Sequence, residues 1–129
     1  VADPLFLTLA EVVEIHSDQI RRYGGQDGLR DRNLLESAVA QPEAFFGGEW
    51  LHPDLCSMAA AYAYHLCQNH CFVDGNKRTA LACALVFLEM NGPRLLDPRG
   101  RLKDAMVRVA SGKMEKEGLT ELFRHLSGQ

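Results

Sequence analysis

Residues 70 to 79 read His-Cys-Phe-Val-Asp-Gly-Asn-Lys-Arg-Thr, which sets a potential general base, a carboxylate, an amide and two adjacent cations in one short segment. An imidazole such as that of His70 is suited to taking a proton from a hydroxyl near neutral pH. A carboxylate such as Asp74 is a natural magnesium ligand, because magnesium bridges carboxylate and phosphate oxygens while keeping several waters. Gly75 permits the tight backbone approach that anion-binding loops require. Asn76 can donate to a phosphate oxygen or fix the loop. Lys77 and Arg78 open an apolar helical pattern, where cations oppose the positive end of the helix dipole, so the pair calls for an anion to offset them. Polyphosphate fits best. Phe72 is expected to bury its ring and anchor the loop, and Thr79 to cap or back-bond the helix.

Each of these residues alone has a plainer reading. A histidine is more often a surface or hydrogen-bonded core residue than a base, Asp74 and Asn76 are ordinary helix caps, and Lys77-Arg78 could be a solvated helix edge. The combination is what argues for chemistry, since one helix terminus has no structural need for all of them at once.

Helices must position this segment. From Asp54 onward Leu55, Met58, Ala59, Tyr62, Ala63 and Leu66 form one continuous apolar stripe, which predicts a core helix leading into His70. After the segment, Leu81, Ala84, Leu85 and Leu88 point a second core helix inward until Asn91-Gly92-Pro93 ends it. Upstream, Thr8 and Glu11 make a capping box, with Leu9, Val12, Val13, His16 and Ile20 on one helical face and Tyr23-Gly24-Gly25 as its left-handed stop. Another helix starts near Asp31, carries Leu34, Leu35, Ala38 and Val39 inward, and stops at Gln41-Pro42. Two more follow, bearing Leu102, Ala105, Met106 and Val109, then Leu119, Leu122, Phe123 and Leu126. Between them, residues 43–53 differ: Phe45, Phe46 and Trp50 flank Gly47-Gly48, which predicts a loop or short hairpin. Taken alone, it reads as a connector whose aromatics plug the core, with a flap over an active site as the alternative.

The bulk properties suit that scheme. A chain of 129 residues with 47% hydrophobic and 24% charged residues suits one soluble domain, 1–129, with no repeat or linker. The expected class is all-α, a compact bundle of about six helices with a short flap or hairpin before the central pair. A net charge of −3 argues against a protein that coats nucleic acid through charge. The apolar runs are too short for a membrane span and no signal-peptide pattern is seen, so the expectation is a cytoplasmic protein. Cys56, Cys67, Cys71 and Cys83 lie in helical patterns and are expected to be reduced.

The string His70, Phe72, Asp74, Gly75, Asn76 and Arg78 resembles the hallmark of the Fic/Doc superfamily, His-x-Phe-x-Asp/Glu-Gly-Asn, a variable residue, then Arg. The likeness extends more weakly to Tyr23-Gly24-Gly25 and to the Gly28-Leu29-Arg30-Asp31 and Glu36-Ser37-Ala38 stretches. Typical AMP-transferases of the family carry glycine and a second arginine where this chain has Lys77 and Leu81. Lysine at that place resembles the death-on-curing (Doc) toxin branch. That likeness implies kinase chemistry, in which the nucleotide is turned around so that its γ-phosphate faces the target hydroxyl. It implies ATP as phosphate donor, Mg2+ on Asp74, and His70 as base toward a protein Ser or Thr. Gly75 and Asn76 would form the anion-binding loop, with Lys77 and Arg78 neutralising phosphate charge. The Phe45–Trp50 segment falls where the family's target-docking flap lies. The implied target is a translation factor such as elongation factor Tu, so translation would be arrested. No Ser/Thr-x-x-x-Glu-Gly/Asn self-inhibitory helix is found, because Lys113 precedes Glu117-Gly118. The resemblance therefore implies a Phd-like antitoxin acting in trans through a disordered amphipathic tail.

Three rivals remain at this level. The same fold could transfer AMP to a protein hydroxyl. A zinc or hydrolytic site could use Cys67, His70, Cys71 and Asp74, although structural zinc sites want ligand pairs separated by a loop. A non-catalytic interaction module could keep the loop as a relic. A protein-kinase domain of the usual kind is excluded by length and by the missing Gly-rich and Asp-Phe-Gly elements.

Overall fold

The computed structural model describes residues 3–128; Val1, Ala2 and Gln129, the ends of the expected 1–129 domain, lie outside the described residues. Among the described residues there are six α-helices and one two-stranded hairpin. Helix α1 spans Leu9–Tyr23 and begins at the expected capping box, with Glu11 N–H donating to the Thr8 hydroxyl and Thr8 N–H to the Glu11 carboxylate. It ends at Gly24, whose φ of 85° suits glycine but whose ψ of 176° is not that of the left-handed stop expected there. Helix α2, Arg32–Ala40, is capped by the Asp31 carboxylate, which accepts from Leu34 N–H. A 3-10 turn over Gln41–Glu43 then leads into strands β1, Phe45–Phe46, and β2, Glu49–Trp50. These strands pair antiparallel, Phe45 opposite Trp50.

The centre of the domain is an antiparallel helix pair, α3 (Leu55–Asn69) and α4 (Asn76–Asn91), on which α1, α2, α5 (Arg101–Ala110) and α6 (Lys116–Leu126) pack. Small residues explain the close approach: Ala59, Ala60, Ala63, Ala80, Cys83 and Ala84 are all fully buried across this interface region. Large rings fill the remaining volume, with Tyr62 tilted against Phe87 at 5.2 Å. The Tyr62 hydroxyl is not orphaned by its burial, because it accepts from Leu7 N–H at 2.8 Å.

The apolar stripes expected on α2, α3, α5 and α6 face the core, their outermost members Leu34, Leu55 and Leu126 half-buried. Two details differ. Val13, expected inward, is 38% exposed, because α1 turns only a narrow face containing Val12 and His16 to its neighbours. On α4, Leu81 and Leu85 are half-buried while Thr79, Ala80, Cys83, Ala84, Phe87 and Leu88 make the buried face. The helix lies between α3 on one side and α1 and α5 on others, so its apolar surface is wider than a single stripe. All four cysteines are free and buried, although Cys71 sits in the α3–α4 connection and not in a helix. No helix among the described residues is long and apolar enough to cross a membrane.

Candidate active site

The six residues 70–75 that join α3 to α4 turn the chain through two left-handed positions. His70 caps α3 at φ 51°, ψ 53°, and Gly75 opens α4 at φ 75°, ψ 21°. A left-handed conformation costs a non-glycine residue about 1–2 kcal/mol, so something must hold His70 there. Arg30 does so: its Nε donates to the His70 carbonyl at 2.6 Å and its terminal nitrogen to the Asn69 carbonyl at 3.2 Å. The strand-like segment carrying Arg30 pairs with the loop, with Leu29 bridged to Phe72, Arg30 and Asp31 N–H on the Cys71 carbonyl, and Val73 N–H on the Gly28 carbonyl.

Inside the loop, Asn76 works as a staple. Its buried side chain accepts from Phe72 N–H at 3.0 Å and donates to the Phe72 carbonyl at 2.9 Å. Of the two roles open to Asn76 in the sequence, its side chain fulfils loop fixing, with both its oxygen and its nitrogen engaged on Phe72. Phe72 is buried as expected and lies parallel under the His16 ring, 3.8 Å between centroids. Thr79, expected to cap or back-bond, buries its hydroxyl without a hydrogen-bond partner among the described residues.

What this scaffold presents is a cleft of about 380 Å³ lined by Cys67, Gln68 and His70 on the α3 side, by Asp74 and Gly75, and by Lys77 and Arg78 on α4. Gly75 supplies no side-chain cap, so the N–H groups of Asn76, Lys77 and Arg78 have no protein acceptor among the described residues. Neither Lys77 nor Arg78 forms an ion pair there with a described carboxylate. Arg78 donates to the Gly24 carbonyl at 2.8 Å and lies over the Tyr23 ring. The Asp74 carboxylate is exposed and oriented by amides, with Gln26 N–H on one oxygen and Gly75 N–H on the other. Gln26 first, then Gly75, with Arg78 behind them, hold this carboxyl below the usual carboxylate range. It is an exposed anion beside a helix end whose first turn carries no acidic residue.

His70, Asp74, Gly75, Lys77 and Arg78 are thus brought to one cleft, with the Asn76 backbone at its floor. The hairpin is not. Phe45 and Phe46 are 59% and 86% exposed, and neither they nor Gly47, Gly48 or Trp50 line the cleft. Trp50 packs on Phe6, which stacks on Phe87, and it borders a hollow with Met58, Met90 and Asn91. Those residues mark the start of α3 and the end of α4. A fifteen-residue helix is about 22 Å long, so the hairpin stands at the far end of the pair from His70. Cys67 and Cys71 are buried while His70 and Asp74 are exposed, and no group of three or more His, Cys, Asp or Glu gathers into a metal-holding cluster among the described residues.

Sequence reading missed His16, Gly25, Gln26 and Arg30. His16 was detectable as a polar residue inside an apolar stripe, a place where burial demands a hydrogen-bond partner. Gly25 is a contact glycine: a Cβ there would lie 2.8 Å from an Asp74 carboxylate oxygen. Gln26 acts through its backbone, which side-chain patterns do not report.

Fold and site together define a helical domain in which a short interhelical loop sets an imidazole and a carboxylate beside a helix N-terminus without a side-chain cap. The chain belongs to the Fic/DOC family, whose model matches residues 6–88. It is 34% identical over 118 residues to the protein named protein kinase doc of Escherichia phage P1, covering 92% of each chain. It is 48% identical over 91 residues to toxin Doc of Mycolicibacterium smegmatis, covering 69% of this chain and 70% of that one.

Proposed function

We propose that this protein is a Doc-type toxin that transfers the γ-phosphoryl group of ATP to a Ser or Thr hydroxyl of a target protein. The observation that carries the reading is the cleft itself: three free helix N–H groups, the cations of Lys77 and Arg78, an imidazole and an oriented carboxylate line the same hollow. Phosphoryl transfer asks a protein for positioning and charge stabilisation more than for covalent chemistry. The names of the two relatives, one a kinase and one a toxin, support the same direction.

In this reading the His70 ring accepts the proton of the incoming hydroxyl as its oxygen bonds to the γ-phosphorus. The bond from that phosphorus to the β-phosphate bridging oxygen breaks, and ADP leaves with the electron pair. The residues fit a magnesium nucleotide: Asp74 would hold Mg2+, which when bound supplies positive charge between phosphate oxygens. The helix end and Lys77 would receive the phosphates, with Arg78, held on the Gly24 carbonyl, lining the same cleft. Asn76 contributes by keeping the loop shut.

The target is a translation factor such as elongation factor Tu, and inhibition comes from a Phd-like antitoxin in trans. Both rest on likeness to the family. The experiment incubates the purified protein with candidate translation factors and ATP labelled at either the α or the γ position, followed by mass spectrometry of the target. The expected result is γ label retained and one phosphate gained, lost in His70→Ala and Asp74→Ala variants that keep helical content. Retained α label, with an adenylyl group on the target, would replace this reading by AMP transfer.

A further inference from the structure

We infer that His16 is a positioning residue for the phosphoryl-transfer loop, its ring nitrogen setting the peptide plane that aims the Asp74 carboxylate at the nucleotide's metal. This rests on the phosphoryl-transfer reading above and adds to it a residue on a different helix.

His16 is only 1% exposed on the third turn of α1, among apolar neighbours. A buried imidazole needs a partner for its polar edge, and the partner found is the loop. The Nε2 atom stands 2.8 Å from the Asp74 carbonyl oxygen. A carbonyl only accepts, so Nε2 carries a proton and donates. The other nitrogen, Nδ1, faces the exposed Asp27 carboxylate at 3.5 Å.

The bonded carbonyl belongs to the Asp74–Gly75 peptide. The N–H on the other side of that same peptide donates to Asp74's own carboxylate at 2.8 Å. One rigid plane therefore receives His16 on its oxygen and orients the metal-ligating group through its nitrogen. The second carboxylate oxygen is fixed by Gln26 N–H at 3.2 Å, from the chain that follows α1. A Cβ on Gly75 would come within 3.8 Å of His16 Nε2, which shows how closely the loop is seated on the ring.

A purely structural role does not require a histidine. The stack on Phe72, 3.8 Å between centroids with planes 5° apart, would be met equally by a phenyl ring. The hydrogen-bond donor is what imidazole adds, and the donor is spent on the loop.

Two variants separate the contributions. His16→Phe keeps the stack and removes the donor; His16→Gln returns an N–H near the Nε2 position and gives up the stack. Calorimetry measures ATP binding to each full-length protein with magnesium and with a chelator, and thermal melts monitored by circular dichroism report folding. Losing a group that orients a metal ligand costs tenfold or more in metal affinity. His16→Phe is therefore expected to lose about tenfold in the magnesium-dependent part of ATP binding, with magnesium-free binding unchanged. His16→Gln should recover most of it despite a lower melting temperature. A structural role alone would rank the two variants by melting temperature and leave the magnesium increment untouched. That result overturns the inference. Nitrogen-15 spectra of histidine-labelled protein supply a readout free of any nucleotide: Nε2 of His16 must be protonated, and a ring protonated only at Nδ1 refutes the bond. Absence of magnesium-ATP binding by the unaltered protein would instead overturn the phosphoryl-transfer reading, with the nitrogen spectrum still deciding whether the clamp exists.

Discussion

Removing the Asn76 staple should cost more stability than its place beside a surface cleft suggests. The side chain satisfies both backbone groups of Phe72, a residue only 2% exposed. In Asn76→Ala the Phe72 N–H and carbonyl both lose their partner. Each buried unsatisfied group costs about 1–3 kcal/mol, and partial relaxation toward the nearby cleft brings the expected sum to about 2–4 kcal/mol. That is a large part of the 5–15 kcal/mol that typically separates folded from unfolded states. Asn76→Asp sharpens the test. Its carboxylate still accepts from Phe72 N–H, but the second oxygen meets the Phe72 carbonyl where an N–H donor used to be. The ionised form is disfavoured in the fold, so its folded pKa lies above the unfolded value of about 3.9. Below that value the protonated acid can donate as the amide did. As pH rises through the interval the unfolded chain releases a proton that the folded chain keeps, and the variant loses stability relative to the parent. Urea unfolding followed by far-UV circular dichroism at pH 4 and pH 7 measures this. The Asp variant should be closer to the parent at pH 4 and worse than Ala at pH 7. A loss below about 0.5 kcal/mol for Asn76→Ala, a value typical of neutral surface changes, would refute the staple.

Three further outcomes follow from the same geometry. His65 accepts from Lys116 Nζ at 3.2 Å, and burial first, then Lys116 and His52, lowers its pKa to about 4. Between the unfolded value near 6.5 and that folded value the unfolded chain takes up a proton the folded chain refuses, so stability falls as pH drops. Discounted for partial solvent screening, the loss is about 1–2 kcal/mol; His65→Gln should remove that component in paired urea titrations, and equal losses in both proteins would count against it. Gly25→Ala puts a Cβ 2.8 Å from Asp74 Oδ2 at a φ of +114°, whereas Gly24→Ala meets nothing within 4 Å at a φ of +85°. Both should lose about 1–3 kcal/mol to positive-φ backbone strain, but only Gly25→Ala should also lose magnesium-dependent ATP binding, read by calorimetry. Arg30→Ala frees the His70 carbonyl, so phosphoryl transfer should fall about tenfold or more for a stability change near 1 kcal/mol; transfer at the parental rate would mean that the left-handed turn holds without it.

The sequence made the helices legible because their signals are local. Thr8, Asp31 and Asp54 cap where capping residues should, and the stripe from Leu55 to Leu66 turns inward as its period demands. The candidate base, carboxylate and cations were legible too, since they sit within one segment whose side-chain types conflict with a plain helix start. The supports were not. Arg30 reaches a carbonyl forty residues away and His16 one fifty-eight residues away, and no spacing rule encodes such pairs. Asn76 left two roles open, and only the closed loop decides between them. The hairpin was legible as a hairpin from Gly47-Gly48, but its position depends on Trp50 finding Phe6 and Phe87, a packing fact.

The geometry of the central helix pair explains how, in the proposed phosphoryl transfer, one short loop could serve both as base holder and as anion receiver. An antiparallel pair brings the C-terminal end of α3 beside the N-terminal end of α4, placing carbonyl-rich and amide-rich termini within a few residues of each other. The amide-rich end attracts phosphate; the carbonyl-rich end bears His70, its own carbonyl neutralised by Arg30. Two left-handed residues five apart are needed to make this reversal. Glycine meets the second without strain, but the first must be the histidine, because an imidazole one residue earlier would belong to the helix and one later would follow Cys71 into the core. In the proposed reaction the strain at His70 is tied to the position of the base, and it is Arg30 that holds it, while Asn76 and His16 fix the loop at Phe72 and Asp74. With the hairpin at the opposite end of the pair, the exposed apolar side chains on the loop's own edge are those of Leu29 and Val73.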